Sequence, residues 1–537
     1  MSTLWFSYDR PLRWVAILLA CGFGRSMVTS AQSRADDKTN LWELARAEAS
    51  VHRFSTLFSA YDVRQYLSSG LGRQDAISWC KKTGVTKVYI EAFRDGYRAE
   101  RPTLETAKTQ FRDAGFEVSG CVTTTRVGKS STGWKDVACC YTDQATQDNL
   151  QNIFEYAAGL FDEIMIDDFW FTDCACEQCD AARRAKTVVI GEHSYPVPGD
   201  AWEDYRCELM LRLSRERLLG PAKKVNPNAR LIVKYPQWYD NFQERGYDVT
   251  RETRDFDRIW VGTETRDFND AHWGGTAQYE GYFIMRWLGG IGGDKCGGGW
   301  YDSLGTTERT YLEQARQTVL GGAHESMLFS YGSLQHDPGP KDIGALRGEV
   351  PALIALAKEI RSHSIIGVAA YKPPSSPPGK EARVFDFLGM MGVPLVPCQE
   401  FPSHAPAAFF SVHALKDPDL AAKLNALIGT GSPVLLTDGL AKTLTNQIQT
   451  EAPNVHILPV NDSPKSLLQL GQKELDDLRA SLLRPLKVSF HAPNSVALYL
   501  FNQGVWVVEN FNDQEVEVEL NGKPITVAGR SLCHSWK

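Results

Sequence analysis

No stretch of eighteen uninterrupted apolar residues occurs in the 537-residue chain, so no segment reads as a membrane-spanning helix. An excess of basic charge is missing too. Lys and Arg total 58 against 65 Asp and Glu, a formal net charge of −7, and no local basic patch offsets it. A protein that tracks a phosphate backbone needs the opposite field, so no nucleic-acid partner is expected. The chain has no His-Glu-x-x-His pair, no Gly-x-Ser-x-Gly elbow and no dinucleotide fingerprint after a first strand. In the glycine-rich run Leu288 to Trp300, Lys295 is followed by Cys296 rather than Ser or Thr, and no helical pattern starts there. That run is expected to be a rim loop rather than a phosphate cradle, and no organic cofactor is expected.

What is present is ordinary globular composition, with 43% hydrophobic and 23% charged residues over a length that suits two to four domains. Arg10 and Arg13 precede a short apolar run, Trp14 to Ala20, the pattern of a signal peptide. Residues 1–31 are therefore expected to be removed on export, with a periplasmic or extracellular destination. Leu18 to Cys21 offers the alternative of a lipid anchor through Cys21. Residues 32–50 read as a linker.

Between residues 51 and 362 short apolar runs alternate with amphipathic helical patterns. Eight candidate strands begin at Thr56, Lys87, Glu117, Glu163, Arg230, Arg258, Gly281 and Ser326. Eight βα units over about 310 residues fit a (β/α)8 TIM barrel with insertions. Residues 363–470 carry a second α/β pattern, starting at Ile365, that reads as a small flavodoxin-like unit. Residues 485–537 read as a β-sandwich, with Asn521-Gly522 as a hairpin turn.

The strongest chemical signal is Glu163 to Trp170, an apolar strand ending in Asp167-Asp168. Strand C-termini form the active-site mouth of a barrel. Two adjacent buried carboxylates are costly unless something neutralises or uses them. Neighbouring residues on a strand point to opposite faces, so one of the two is expected to face the axis. Glu264, two residues past the sixth strand, is the best partner acid. Glu91 and Arg94, Lys234, Tyr235 and Trp238, and Arg286 and Trp287 are expected to line the same rim and bind substrate. Seven of the fourteen tryptophans fall between residues 170 and 300, where long loops are expected, and indole faces suit the apolar faces of sugars.

Cys174-x-Cys176-x-x-Cys179 follows the Asp-Asp strand directly. Three thiolates so close suit one metal, with Cys139 or Cys140 as the fourth ligand of a tetrahedral zinc. Four sulfurs leave no open position, so the metal would be structural. The alternative is a disulfide with spare thiols.

An upstream cysteine, a strand ending in acid, Cys-x-Cys-x-x-Cys, a small α/β domain and a β-sandwich together resemble the family 42 β-galactosidases and related glycosyl hydrolase families. The resemblance implies zinc on Cys140, Cys174, Cys176 and Cys179, and a trimerisation role for the flavodoxin-like domain. It does not carry over galactose specificity, because Asp167-Asp168 stands where that family has Asn-Glu. A strand-four Asp is similar instead to the nucleophile of α-fucosidase-like and α-galactosidase-like barrels. The Asp-Asp pair also looks like that of substrate-assisted hexosaminidases. The expectation is a retaining glycoside hydrolase acting on a carbohydrate, with Asp167 as nucleophile, Glu264 as acid/base and Asp168 in support. The alternatives are an N-acetylhexosaminidase using Asp167 and Asp168, and a non-catalytic carbohydrate-binding barrel.

Overall fold

The computed structural model describes residues 40–536. The expected signal segment and Cys21 lie outside the described residues, and no described helix is long and apolar enough to cross a membrane. Eight parallel strands close into a barrel: β1 Arg53–Phe58, β2 Val85–Arg94, β3 Glu117–Val122, β4 Glu163–Ile166, β5 Arg230–Tyr235, β6 Arg258–Gly262, β7 Cys296–Asp302 and β8 Glu325–Phe329. β1 pairs with both β2 and β8, which completes the ring.

The barrel's interior is set by the two-residue period of its strands. Leu57, Tyr89, Cys121, Met165, Ile232, Trp260, Trp300 and Met327, one from each strand, form a single apolar layer. Two positions toward the N-terminal ends lie Lys87, Glu163 and Glu325; two positions toward the C-terminal ends lie Glu91, Asp167 and Lys234. A greasy disc thus separates two charged layers, and only the upper one meets the loops that build a barrel's active site.

The seventh strand differs from expectation. Gly281 to Met285 belongs to a helix, Glu280–Gly292, and the strand is the glycine run that follows it. The helix is apolar nearly all round because it is wedged between barrel and second domain: Phe283 stacks on Phe385 at 4.6 Å, and the Tyr282 hydroxyl donates to the Leu395 carbonyl at 3.2 Å. A continuously apolar run carries no period to separate strand from helix. The glycines are there because nothing larger fits. A Cβ on Gly297 would lie 2.8 Å from the Trp260 indole nitrogen, one on Gly298 2.4 Å from the Glu325 carbonyl oxygen, and one on Gly299 2.5 Å from Thr318 Cγ2.

Residues 41–47, expected to be linker, form a helix capped by Asn40, whose side chain accepts from Trp42 N–H at 3.2 Å. Trp42 is buried against Phe116 at 4.7 Å, which fastens this segment beneath the barrel.

The second unit has five parallel strands, β9 Val368–Tyr371, β10 Leu395–Cys398, β11 Ala408–Phe410, β12 Val434–Thr437 and β13 Val455–Leu458, in the order β10-β9-β11-β12-β13. That is the flavodoxin-like order. Ile365–Ile366, read as its first strand, pairs instead with Phe501 and Leu500 in the C-terminal sandwich. The sandwich packs a four-stranded sheet and a three-stranded sheet around Leu498, Val508 and Val518.

Candidate active site

Asp167 continues the inward phase of Met165 and lies at the mouth, buried, with each of its oxygens already accepting a hydrogen bond from the protein. Oδ2 accepts from Arg94 Nη2 at 2.7 Å and faces Thr123 Oγ1 at 3.0 Å, and Oδ1 accepts from the Asp168 N–H at 2.8 Å. Burial raises its pKa, yet Arg94 and Lys234 outweigh that and hold the carboxyl below the usual range. Glu91, completely buried, accepts from Ala60 N–H and from Arg94 Nε, and its Oε1 is 2.5 Å from Thr123 Oγ1. A hydroxyl has one proton to give. Thr123 can therefore donate to only one of the two carboxyls at a time, and burial raises the Glu91 pKa against the opposing charge of Arg94.

Asp168 sits past the end of β4, where the chain turns over the mouth. Lys234, from β5, donates to Asp168 Oδ2 at 2.7 Å and to Glu264 Oε1 at 2.7 Å. Two oxygens each that far from one nitrogen lie at most twice that distance apart, so the carboxyls of Asp168 and Glu264 face one another across the ammonium. Lys234 has a side chain 1% exposed, Glu264 4% and Asp168 13%, which leaves Asp168 as the carboxyl most open to the mouth. Burial pushes Asp168 up to about 8, with Lys234 opposing and the anions of Asp167 and Glu264 adding to the rise. Burial also raises Glu264, again against Lys234, and Asp302 adds to it. Asp302, from β7, is held in turn by Arg266 through a two-pronged pair at 3.1 and 2.6 Å.

The family profile described as "Probable glycosyl hydrolase, catalytic domain" matches residues 38–345, the whole of this barrel. The chain belongs to that family. An uncharacterized protein of Saccharolobus solfataricus is 28% identical over 337 residues, which are 59% of this chain and 55% of the relative. The chain thus spans about half the length of that curated relative. Among solved structures, alpha-L-fucosidase isoenzyme 2 from Paenibacillus thiaminolyticus superposes with a TM-score of 0.59 at 11% identity, over 87% of this chain and 93% of the other. Gan42B, a GH42 β-galactosidase of G. stearothermophilus, gives 0.59 at 11% identity, over 90% and 97%. At such identities these two share the fold.

In this glycosyl hydrolase barrel several residues expected on the rim are elsewhere. Tyr235 alternates outward from Lys234 and is buried near Thr253, its hydroxyl 3.4 Å from Thr253 Oγ1. Arg286 and Trp287 ride on the Glu280–Gly292 helix outside the barrel. Arg286 donates to the Leu320 carbonyl at 2.6 Å and the Trp287 indole donates to the Lys372 carbonyl at 2.9 Å. Glu91, Arg94 and Lys234 are at the mouth, but inside the carboxylate network rather than open to a ligand. Trp238 is on the rim, half-buried. Trp170, Trp260, Trp287 and Trp300 are core side chains. Asp302, the partner of Arg266, was not foreseen, since its place follows from the true seventh strand.

The four cysteines Cys140, Cys174, Cys176 and Cys179 converge, with all sulfurs within 4.8 Å of one another. Cys140 is 3.7 Å from Cys176 and 3.6 Å from Cys179, and Cys176 is 3.6 Å from Cys179. Metal–sulfur bonds of about 2.3 Å set the edge of a tetrahedron at about 3.8 Å, whereas a disulfide needs about 2.05 Å. The spacing therefore fits a four-thiolate metal centre. Thr142 Oγ1, 3.0 Å from Cys179 Sγ and 2.7 Å from the Tyr205 hydroxyl, supplies the outer hydrogen bonding such centres use. Cys139 is buried outside the cluster.

Proposed function

We propose that the protein is an exported, retaining glycoside hydrolase that cleaves O-glycosidic bonds in an oligo- or polysaccharide, with Glu264 as nucleophile and Asp168 as acid/base. The observation that carries this reading is Lys234, bonded at 2.7 Å to both carboxyls. The two oxygens it holds are at most twice that distance apart, which is compatible with the roughly 5–5.5 Å carboxyl spacing of a double-displacement enzyme rather than the roughly 6.5–9.5 Å that admits an inverting water. These roles differ from the expected ones for a physical reason. Asp167 is buried, carries a hydrogen bond on each oxygen and is tied to Arg94, whereas Asp168 is the carboxyl more open to the mouth. The negative charge of Asp167, next in the chain, keeps the proton of the pair on Asp168, while Lys234 and the more distant Arg266 favour the anion on Glu264.

In the first step Glu264 attacks the anomeric carbon as Asp168 gives its proton to the leaving oxygen. Glu264 becomes an ester and Asp168 becomes an anion, so the partner of Lys234 changes without the ammonium moving. Asp168 then takes a proton from water, which attacks the same carbon and frees the sugar with its original configuration. The substrate-assisted alternative needs an Asp167 that can orient an acetamide, and this Asp167 is buried with a protein hydrogen bond on each oxygen.

The four-cysteine centre is read as structural zinc, because four protein sulfurs leave no position for substrate. Export rests on the Arg10, Arg13 and Trp14–Ala20 pattern. The flavodoxin-like domain supports a trimer, which light scattering tests directly. A panel of nitrophenyl glycosides identifies the sugar, and azide assigns the roles. Azide should rescue Glu264→Ala to give a glycosyl azide of inverted configuration, and Asp168→Ala to give one of retained configuration. Rescue with the opposite pattern exchanges the two roles, and full activity in either variant refutes the mechanism.

A further inference from the structure

Trp134 lies on the long loop between β3 and β4 and is among the few large apolar side chains left exposed, at 37%. It is nevertheless fixed. Its N–H donates to Asp173 Oδ2 at 2.8 Å, and Ser131 Oγ donates to Asp173 Oδ1 at 2.6 Å. A Cβ on neighbouring Gly133 would lie 2.2 Å from Asp173 Oδ2, so the backbone can approach that carboxylate only through a glycine. Thr132 Oγ1 accepts from Ala175 N–H at 2.7 Å. The loop is therefore sewn to Asp173 and Ala175, which flank Cys174, and it ends at Cys140; both of its attachments lead into the four-cysteine centre.

The indole stands edge-on to Phe171 at 5.6 Å and to Trp238 at 5.4 Å, with the Arg245 guanidinium 4.3 Å from its ring centre. Phe171 comes three residues after Asp168 and Trp238 four residues after Lys234, so this aromatic group lies on the β4–β5 flank of the mouth, beside the acid/base. A tryptophan kept only for packing would turn its faces inward. This one is braced from behind and presents apolar surface to solvent, the arrangement by which proteins stack on the C–H face of a pyranose.

We infer that Trp134 is the stacking platform for a sugar unit on the leaving-group side of the scissile bond, held in place by the four-cysteine centre. This inference rests on the glycoside hydrolase reading and adds to it a binding site and a preference for substrates whose leaving group is itself a sugar. The sugar class it would take is a neutral pyranose, because the indole leaves apolar surface exposed while the neighbouring Arg245 cation is covered by the ring.

The test compares a nitrophenyl monosaccharide, whose leaving group is not a sugar, with neutral trisaccharides of gluco, galacto, xylo and fuco configuration. Trp134→Ala should lower the ratio of trisaccharide to nitrophenyl kcat/KM about tenfold, through KM, and Trp134→Phe should restore most of it. Calorimetric titration of the trisaccharide into Glu264→Gln protein, with and without Trp134→Ala, should show Kd weakened by about the same factor. A wild-type protein that cleaves these substrates with a ratio changed less than twofold by Trp134→Ala overturns the platform and leaves the hydrolase reading intact. If the wild-type protein neither cleaves nor binds any of them, the hydrolase reading falls and the platform with it.

Discussion

The two ends of the barrel are built from the same parts. At the lower end Lys87 lies between Glu163, at 2.7 Å, and Glu325, at 3.5 Å; at the upper end Lys234 lies between Asp168 and Glu264. Both lysines are buried. The difference is in the company the carboxylates keep. Below, Glu163 also accepts from Ser119 at 2.8 Å and pairs with Arg230 at 3.2 Å, and although burial raises its pKa, Lys87 prevails and the carboxyl titrates below its usual range. Above, Asp167, Asp168, Glu264 and Asp302 crowd together, and both carboxyls on Lys234 are raised. A satisfied cluster closes a barrel, whereas one left with surplus negative charge keeps a proton ready for transfer.

The sharpest way to break this comparison is to neutralise each carboxyl in turn. Asp168→Asn and Glu264→Gln should each lower kcat about a thousandfold with the fold intact by circular dichroism, while Glu163→Gln and Glu325→Gln should stay within about twofold per folded molecule. Comparable losses at both ends would mean that the lower cluster is part of the machinery.

Stability should rank the two lysines in the opposite order. Lys87→Met leaves Glu163 and Glu325 buried without their cation and should cost about 3–5 kcal/mol in denaturant unfolding. Lys234→Met should cost less, about 1–2 kcal/mol, because Asp168 and Glu264 already take up protons readily.

The pH dependence should also run in opposite directions. A carboxyl raised in the folded state loses stability as pH climbs from its unfolded value toward its folded one. Asp168→Asn should therefore gain on the wild type between about pH 4 and pH 8, by up to about 1.4 kcal/mol per pH unit. Glu163, lowered when folded, contributes stability above its unfolded pKa and loses it in acid, so the deficit of Glu163→Gln should shrink below about pH 4. Melting temperatures across pH measure both, and kcat/KM should fall above about pH 8 as Asp168 loses its proton.

Chelation should touch only the upper end. The protein should carry about one zinc per chain, and its removal should lower the melting temperature by about 3 °C, with proteolytic cutting appearing in residues 126–140 and not around Lys87. Mapped disulfides among Cys174, Cys176 and Cys179 would refute the centre.

The period of the strands made much of this legible. Asp167 and Glu264 could be placed at the mouth from the ends of β4 and β6, and the cysteine spacing located the four-cysteine cluster. The same period also separates Lys234 from Tyr235, one inward and one outward. What sequence could not supply was partnership. Asp167 is paired with Arg94, which comes from 73 residues earlier, and Lys234 reaches Glu264 from 30 residues away. The seventh strand was misplaced because a helix buried on all sides has no polar face to reveal its turn, and glycine shows a strand only once its neighbours are known. Trp134 precedes the tryptophan-rich stretch, and nothing in its sequence neighbourhood singles it out.

The glycines of β7 carry a consequence for how this family can vary. Gly297 is the imprint of Trp260, whose indole nitrogen would lie 2.8 Å from a Cβ there, while Gly298 is closed first by the Glu325 carbonyl. Volume inside the barrel is therefore exchanged between adjacent strands: a methyl group gained on β7 must be given up on β6. Gly297→Ala alone should be rejected, while Gly297→Ala combined with a smaller residue at Trp260 should be accepted. In related chains these positions are expected to change together, so a segment that reads as slack is an inherited record of the side chain opposite.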